Sequence, residues 1–202
     1  MSVIAIENVE LVYLTMDDYP ELKKAMQESY TSMTDSYWKP QQIRTLTEIF
    51  PEGQVVIKIN GQLAGVALSI IVDYTKYSDG HTYKDITHNY TFKSHTSKGD
   101  MLYGIDIFIK PEYRGLRLGR RLYDYRKELC ENLNLKGIAF GGRIPNYHKF
   151  QDEMSPKEYI EKVRIKEIHD PVLNFQISND FHPAKVLKGY LEGDKASKEF
   201  AV

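Results

Sequence analysis

Ile107-Phe108-Ile109-Lys110-Pro111-Glu112-Tyr113-Arg114-Gly115-Leu116-Arg117-Leu118-Gly119-Arg120-Arg121-Leu122 reads as an apolar strand, a stop at Pro111, a glycine-punctuated turn and the start of a helix. From Leu118 the apolar positions Leu122, Tyr125, Leu129 and Leu133 follow at helical spacing, so one face of that helix is built to pack. Arg114, Arg117, Arg120 and Arg121 crowd its N-terminal end. There the helix dipole is already positive, and each cation is unfavourable by a few tenths to ~1 kcal/mol. Unbonded backbone N–H groups, glycines that let a ligand approach the backbone, and surplus guanidinium charge together describe a phosphate or pyrophosphate cradle.

The charge is local. Seven Lys or Arg stand against two acids, Glu112 and Asp124, between Lys110 and Lys127, while the whole chain of 202 residues carries −1. A balanced 27% of charged residues gives no general affinity for nucleic acid or a membrane surface. A groove-reading basic helix is disfavoured as well, because the arginines gather at one end. The length suits one domain, residues 1–202. The single Cys130 excludes an internal disulfide framework, and its acidic neighbours Glu128 and Glu131 mark it as a packing residue. With no signal-like start or long apolar run, the expected location is the cytoplasm.

Working outward, Val9 to Leu14 reads as a strand, Thr15 to Tyr30 as a capped helix, and Pro40 to Phe50 as a second helix. Gln54–Ile59 and Gln62–Val72 flank Asn60-Gly61, the strongest short hairpin signal. Leu102–Ile109, the helix from Leu118, and Lys136–Phe140 form a βαβ unit with a right-handed crossover. Ser155-Pro156-Lys157-Glu158 is a capping box opening a helix to about Ile168. Val172–Ile177 and Val186–Leu191 read as closing strands.

Arg114-Gly115-Leu116-Arg117-Leu118-Gly119, entered through Pro111-Glu112-Tyr113, resembles the Arg/Gln-x-x-Gly-x-Gly/Ala turn of the GNAT superfamily of acetyl-CoA-dependent N-acetyltransferases, with Arg117 in place of the middle glycine. The order of elements resembles the same plan over most of the chain. The resemblance implies an α/β (α+β) GNAT fold: a mixed central sheet with a parallel strand pair that splays around the cofactor helix. It also implies acetyl-CoA as acyl donor, with no metal. The pantetheine arm would pair with the backbone of Ile107 and Ile109, and the pyrophosphate would rest on Arg114, Gly115, Leu116, Arg117, Leu118, Gly119 and Arg120. The stretches Tyr103-Gly104-Ile105-Asp106 and Gly141-Gly142-Arg143-Ile144-Pro145-Asn146-Tyr147-His148 resemble the subgroup often fused to carbon–nitrogen hydrolases of the nitrilase type. No hydrolase portion is present in this sequence, so the domain is expected to stand alone or to work with a separate hydrolase.

Acyl transfer to an amine imposes requirements. An amine of pKa ~10 is neutral about one time in a thousand at pH 7, so a base is needed. Asp106, on the cofactor strand, is the candidate, effective if desolvated or acting through water; a hydrogen-bonded structural acid is the other reading. For the proton of the leaving thiolate the resemblance implies a tyrosine on the helix after the second parallel strand. Counting from Phe140, that position falls near Phe150 or Gln151; Tyr147 is the candidate, with His148 beside it and Tyr159 beyond.

Residues 74–100 form a polar, aromatic-rich insertion with Tyr74, Tyr77, Tyr83, Tyr90 and Phe92, and with His81, His88 and His95 at seven-residue intervals. Without an accompanying carboxylate or Cys pattern, and in Thr- and Gly-broken sequence that will not hold a helix, the histidines do not make a metal set. A packing or disordered loop, an acceptor-binding lid and a homodimer contact all remain open. The resulting expectation is an acyl-CoA-dependent N-acyltransferase acting on a primary amine of a small molecule. The alternative is a non-catalytic CoA-binding or regulatory module acting with a partner hydrolase.

Overall fold

The Asn60-Gly61 turn sets the register of the sheet. Both residues have positive φ, 49° and 80°, the primed geometry that matches strand twist, and they join β2 (Gln54–Ile59) to β3 (Gln62–Val72) with Ile59 opposite Gln62. In this computed structural model, which describes residues 6–30, 37–77 and 80–202, β1 (Val9–Tyr13) pairs antiparallel with β2, and β3 with β4 (Met101–Ile109). The fifth strand, β5 (Gly137–Ala139), runs parallel to β4, so the sheet order is β1-β2-β3-β4-β5. That is the mixed sheet of the GNAT fold.

The chain divides into two compact units, Met1–Asp73 with Tyr90–Ala139, and Tyr74–Asn89 with Phe140–Val202. In the first unit the sheet is flanked by α1 (Tyr19–Ser29), α2 (Pro40–Ile49) and α4 (Leu118–Asn132). Leu118 and Leu122 of α4 pack on Val55, Ile57, Ile59, Ala64 and Ala67, with Ile107 and Ile109 at the margin. Farther along, Leu129 and Cys130 pack on Ile71 and Leu102. Burial holds the Cys130 thiol above its ordinary pKa, as expected of a packing residue.

One irregularity matters for the site. Leu68 is opposite Asp106 and Ser69 opposite Gly104, so Ile105 is an extra residue in β4, a bulge. The carbonyls freed there are not left dry. Arg126, 2% exposed, reaches from α4 to donate to Leu68 O (2.7 Å), Asp106 O (2.6 Å) and Ser69 Oγ (3.1 Å). The buried amide of Gln54 brackets Ser69 from the other side, accepting from its N–H and donating to its carbonyl. A side chain on Gly104 would meet the Arg126 guanidinium at 2.9 Å, which explains the glycine.

In the second unit the two expected closing strands are absent among the described residues. Residues 171–177 form a helix, α6 (Pro171–Ile177). Asp170 is its N-cap, accepting from Val172 N and Leu173 N, with Pro171 at the first position; these start signals outweigh the β-branched run. Leu187 makes only an isolated bridge to Ala201 in place of a strand. The capping box at Ser155 opens α5 (Pro156–Arg164), which stops before Ile168 because Lys166 turns left-handed at φ 66°. A short helix, α3 (Tyr83–Ile86), comes from the insertion.

Described residues of the insertion are buried in each unit. Ile86 and Thr87 are fully buried, and Phe92 packs on Trp38 with ring centroids 5.5 Å apart. Residues 78–79 lie outside the described part. His81 sits among Tyr74, Tyr77 and Tyr190 in the second unit, and His95 stacks on Phe50 in the first. Among the described residues no group of three or more His, Cys, Asp or Glu could hold a metal, and no helix is long and apolar enough to cross a membrane. Burial pushes both His81 and His95 below the ordinary imidazole pKa. The folded chain therefore binds fewer protons than the unfolded chain, and stability falls as pH drops through about 6.5. A lower melting temperature at pH 5.5 than at 7.5 is the expected result, and its loss in a His81→Phe, His95→Phe variant assigns the cause.

Candidate active site

The strand-to-helix turn is built as the sequence suggests, with one feature it does not reveal. After the single 3₁₀ turn Pro111–Tyr113, Gly115 lies at φ 86° and Arg117, the N-cap of α4, at φ 58°. A non-glycine residue in the left-handed region costs on the order of 1–2 kcal/mol. That strain is held by packing on both sides. Tyr113 is 4% exposed with its hydroxyl donating to Gln62 Oε1 (3.2 Å), and Leu118 and Gly119 are buried. Two left-handed residues before a helix curl successive N–H groups into a concave, anion-favouring surface. Arg114, Leu116, Arg117, Arg120 and Arg121 are exposed around it. Among the described residues none of the four arginines is ion-paired. Lys110 and Arg126 drop out of the basic patch: the first pairs with Glu112 (2.7 Å), and the second is buried in the bulge.

β4 outruns its parallel neighbour. β5 pairs only with Met101, Leu102 and Tyr103, so from Gly104 to Ile109 this strand edge has no β5 partner. Lys110 N–H donates to Ala64 O of the loop side of β3. Strand alternation then turns the N–H and C=O of Ile107 and Ile109 to the opposite, open edge, while their side chains pack under α4. An edge-facing backbone and half-buried side chains coexist at these two residues, with Arg114 Nε donating to Ile109 O (3.4 Å).

Asp106 faces the other side of the sheet. Its Oδ1 accepts from the Tyr30 hydroxyl (2.5 Å), at the end of α1, and its Oδ2 from Trp38 Nε1 (3.0 Å), ahead of α2. Burial pushes the Asp106 carboxyl above the ordinary carboxylate value, outweighing the downward pull of Tyr30, Trp38, the Ile107 N–H and the Arg126 charge. Desolvation is what a weak carboxylate needs to act as a base near neutral pH. The partners Tyr30 and Trp38 were missed from sequence. They lie 76 and 68 residues away, and the only hint was that Trp38 is the sole tryptophan.

Tyr147 belongs to the second unit. Its ring is buried against Tyr159 and Phe200, and its hydroxyl donates to Met154 O (3.1 Å). Burial, with Asp152 and Glu158 nearby, raises its pKa, so the hydroxyl keeps its proton. Tyr159 donates to Asp170 Oδ2 (2.8 Å) and is equally committed.

The chain is 42% identical over 164 residues to the Probable hydrolase YhcX of Bacillus subtilis, covering 81% of this chain but only 32% of that protein, so it spans about a third of that relative's length. It is 36% identical over 165 residues to the Uncharacterized N-acetyltransferase YkwB of the same organism, covering 82% of this chain and 73% of that one. Its fold superposes on the loading GNATL domain of CurA from Lyngbya majuscula with a TM-score of 0.82 at 20% identity, over 96% of this chain and 95% of that one. The model of the Acetyltransferase (GNAT) family matches residues 19–149, from the first residue of α1 through the Gly115–Arg117 turn to Lys149. The chain belongs to the acetyltransferase (GNAT) family.

Proposed function

We propose that this protein is an acyl-CoA-dependent N-acyltransferase that moves an acetyl group from acetyl-CoA to a primary amine of a small molecule in the cytoplasm. The observation that carries this is the coincidence, within one unit, of the strained Gly115–Arg117 turn opening α4 and the edge of β4 that β5 does not pair with. Together they offer a pyrophosphate seat and a backbone edge for pantetheine. Asp106 is the base. The test is a thermal-shift measurement with acetyl-CoA and CoA, followed by thiol release over a panel of small primary amines. No shift at millimolar acetyl-CoA overturns the proposal.

Turnover should have an acidic limb. Asp106 works ionised and its pKa is raised, so activity falls as pH drops through a value above the usual carboxylate range. Asp106→Asn is expected to remove that limb and lower kcat by ~10²-fold or more. Tyr147 is carried as the proton donor to the thiolate. If it acts so, Tyr147→Phe slows thiol release at least tenfold with unchanged acetyl-CoA affinity. If its hydroxyl serves Met154 alone, the variant loses only about 1 kcal/mol of stability.

A second reading, a module regulating a carbon–nitrogen hydrolase, is favoured by the 42% relative named as a probable hydrolase. Acetyl-CoA binding without turnover on any amine would select it. Light scattering of the same sample tests the homodimer.

A further inference from the structure

We propose that Tyr30 is the group that takes the proton from the acceptor amine, relaying it to Asp106. The inference rests on the transferase reading above and deepens it. Three observations place the tyrosine. Its hydroxyl is bonded to Asp106 Oδ1 at 2.5 Å, the shorter of the two side-chain bonds that this carboxylate accepts. Its ring packs edge-on against Phe108, centroids 5.6 Å apart, so Tyr30, Asp106 and Phe108 share one face of the stretch of β4 that lacks a β5 partner. Asp106 is also held from its second oxygen by Trp38, and its backbone carbonyl is fixed by Arg126, so the carboxylate cannot swing toward a substrate without breaking these bonds.

The division of labour follows from that anchoring. The neutral amine nitrogen bonds to the thioester carbonyl carbon. One N–H proton passes to Tyr30 Oη while the tyrosine's own proton passes to Asp106 Oδ1. The C–S bond then breaks, the CoA thiolate takes a proton from the donor or from water, and Asp106 gives its proton to solvent. Tyr30 ends as it began. Asp106, acting through it, is a positioning residue and proton sink. Among the described residues, the charged and titratable groups that act on the carboxylate are Tyr30, bonded to it from the end of α1, and Arg126, on α4 across the sheet. The Glu28–Lys110 pair (3.9 Å) flanks α1 and the end of β4.

The test uses the full chain, acetyl-CoA, and whichever of ethanolamine, putrescine or benzylamine releases thiol fastest. Tyr30→Phe should lower kcat by ~10²-fold with an unchanged acetyl-CoA dissociation constant. Its acidic limb should move to higher pH, since the carboxylate loses a donor that stabilised its charge. Trp38→Phe should move the limb the same way, yet keep the relay. In mixtures of light and heavy water the wild type should give a curved dependence of kcat on deuterium content, because two protons move together. Trp38→Phe should retain the curve and Tyr30→Phe should lose it. The wild-type measurement needs no variant to fold. Wild-type kcat in Tyr30→Phe, equal losses in both variants, or a linear dependence in the wild type overturns the relay while the transferase reading stands. No thiol release by the wild type with any of the three amines overturns the transferase reading, and the relay with it.

Discussion

Arg126→Met is expected to lower the melting temperature by about 10–15 °C. Methionine fills a similar length of the interior but donates nothing. Leu68 O, Asp106 O and Ser69 Oγ would each lose a donor inside a bulge that water does not reach. A buried acceptor left unmade costs about 1–3 kcal/mol, so three together come to roughly 3–5 kcal/mol after partial relaxation, within reach of the whole stability of a domain this size. Arg126→Lys keeps the charge but not the planar fork that spans two strands, and should fall between. Differential scanning calorimetry decides it. A methionine variant melting within 3 °C of wild type would mean that the bulge holds itself without the guanidinium.

The second large effect is on the ligand. Acetyl-CoA at one hundred times its dissociation constant adds ~2.7 kcal/mol by mass action, a rise of about 5–10 °C. Gly119→Glu should abolish this rise, because the residue is buried in the first turn of α4, where the helix presents its unbonded N–H groups, and the change brings both bulk and negative charge. Arg120→Glu, at an exposed position that leaves packing untouched, should weaken binding at least tenfold by charge alone. Retention of the full shift in both variants would move the pyrophosphate elsewhere.

Where the chain's structure is set by neighbours in sequence, it was legible. Asn60-Gly61 determines a hairpin because only residues tolerant of positive φ can make that turn, and the phase of Leu118, Leu122 and Leu129 determines which face of α4 is buried. The strand-to-helix turn could be read from its glycines and its stop at Pro111. What escaped depends on long-range pairing. Val172–Ile177 looks like a strand on composition, yet Asp170-Pro171 starts a helix, a case where a cap outweighs propensity. Val186–Leu191 had no partner strand for the sequence to announce. Arg126 counted as surface charge in a linear reading and is among the largest buried side chains in the fold. Tyr30 and Trp38 carry no local pattern; only folding brings them to Asp106.

The extra residue at Ile105 has a wider consequence. Leu102, Gly104, Ile107 and Ile109 all lie on the α4 side of β4, although 104 and 107 are three apart and strict alternation would separate them. One insertion has thus changed the parity of the strand. Shortening β4 by that one residue would restore strict alternation, with both halves still properly dressed and Asp106 still on the Tyr30 and Trp38 side, but it would close the bulge and annul the freed carbonyls that Arg126 serves. The extra residue and the buried guanidinium are therefore a single heritable unit. Substitutions along β4 can be tried one at a time, whereas loss of its extra residue strands the charge of Arg126 in the interior in one step.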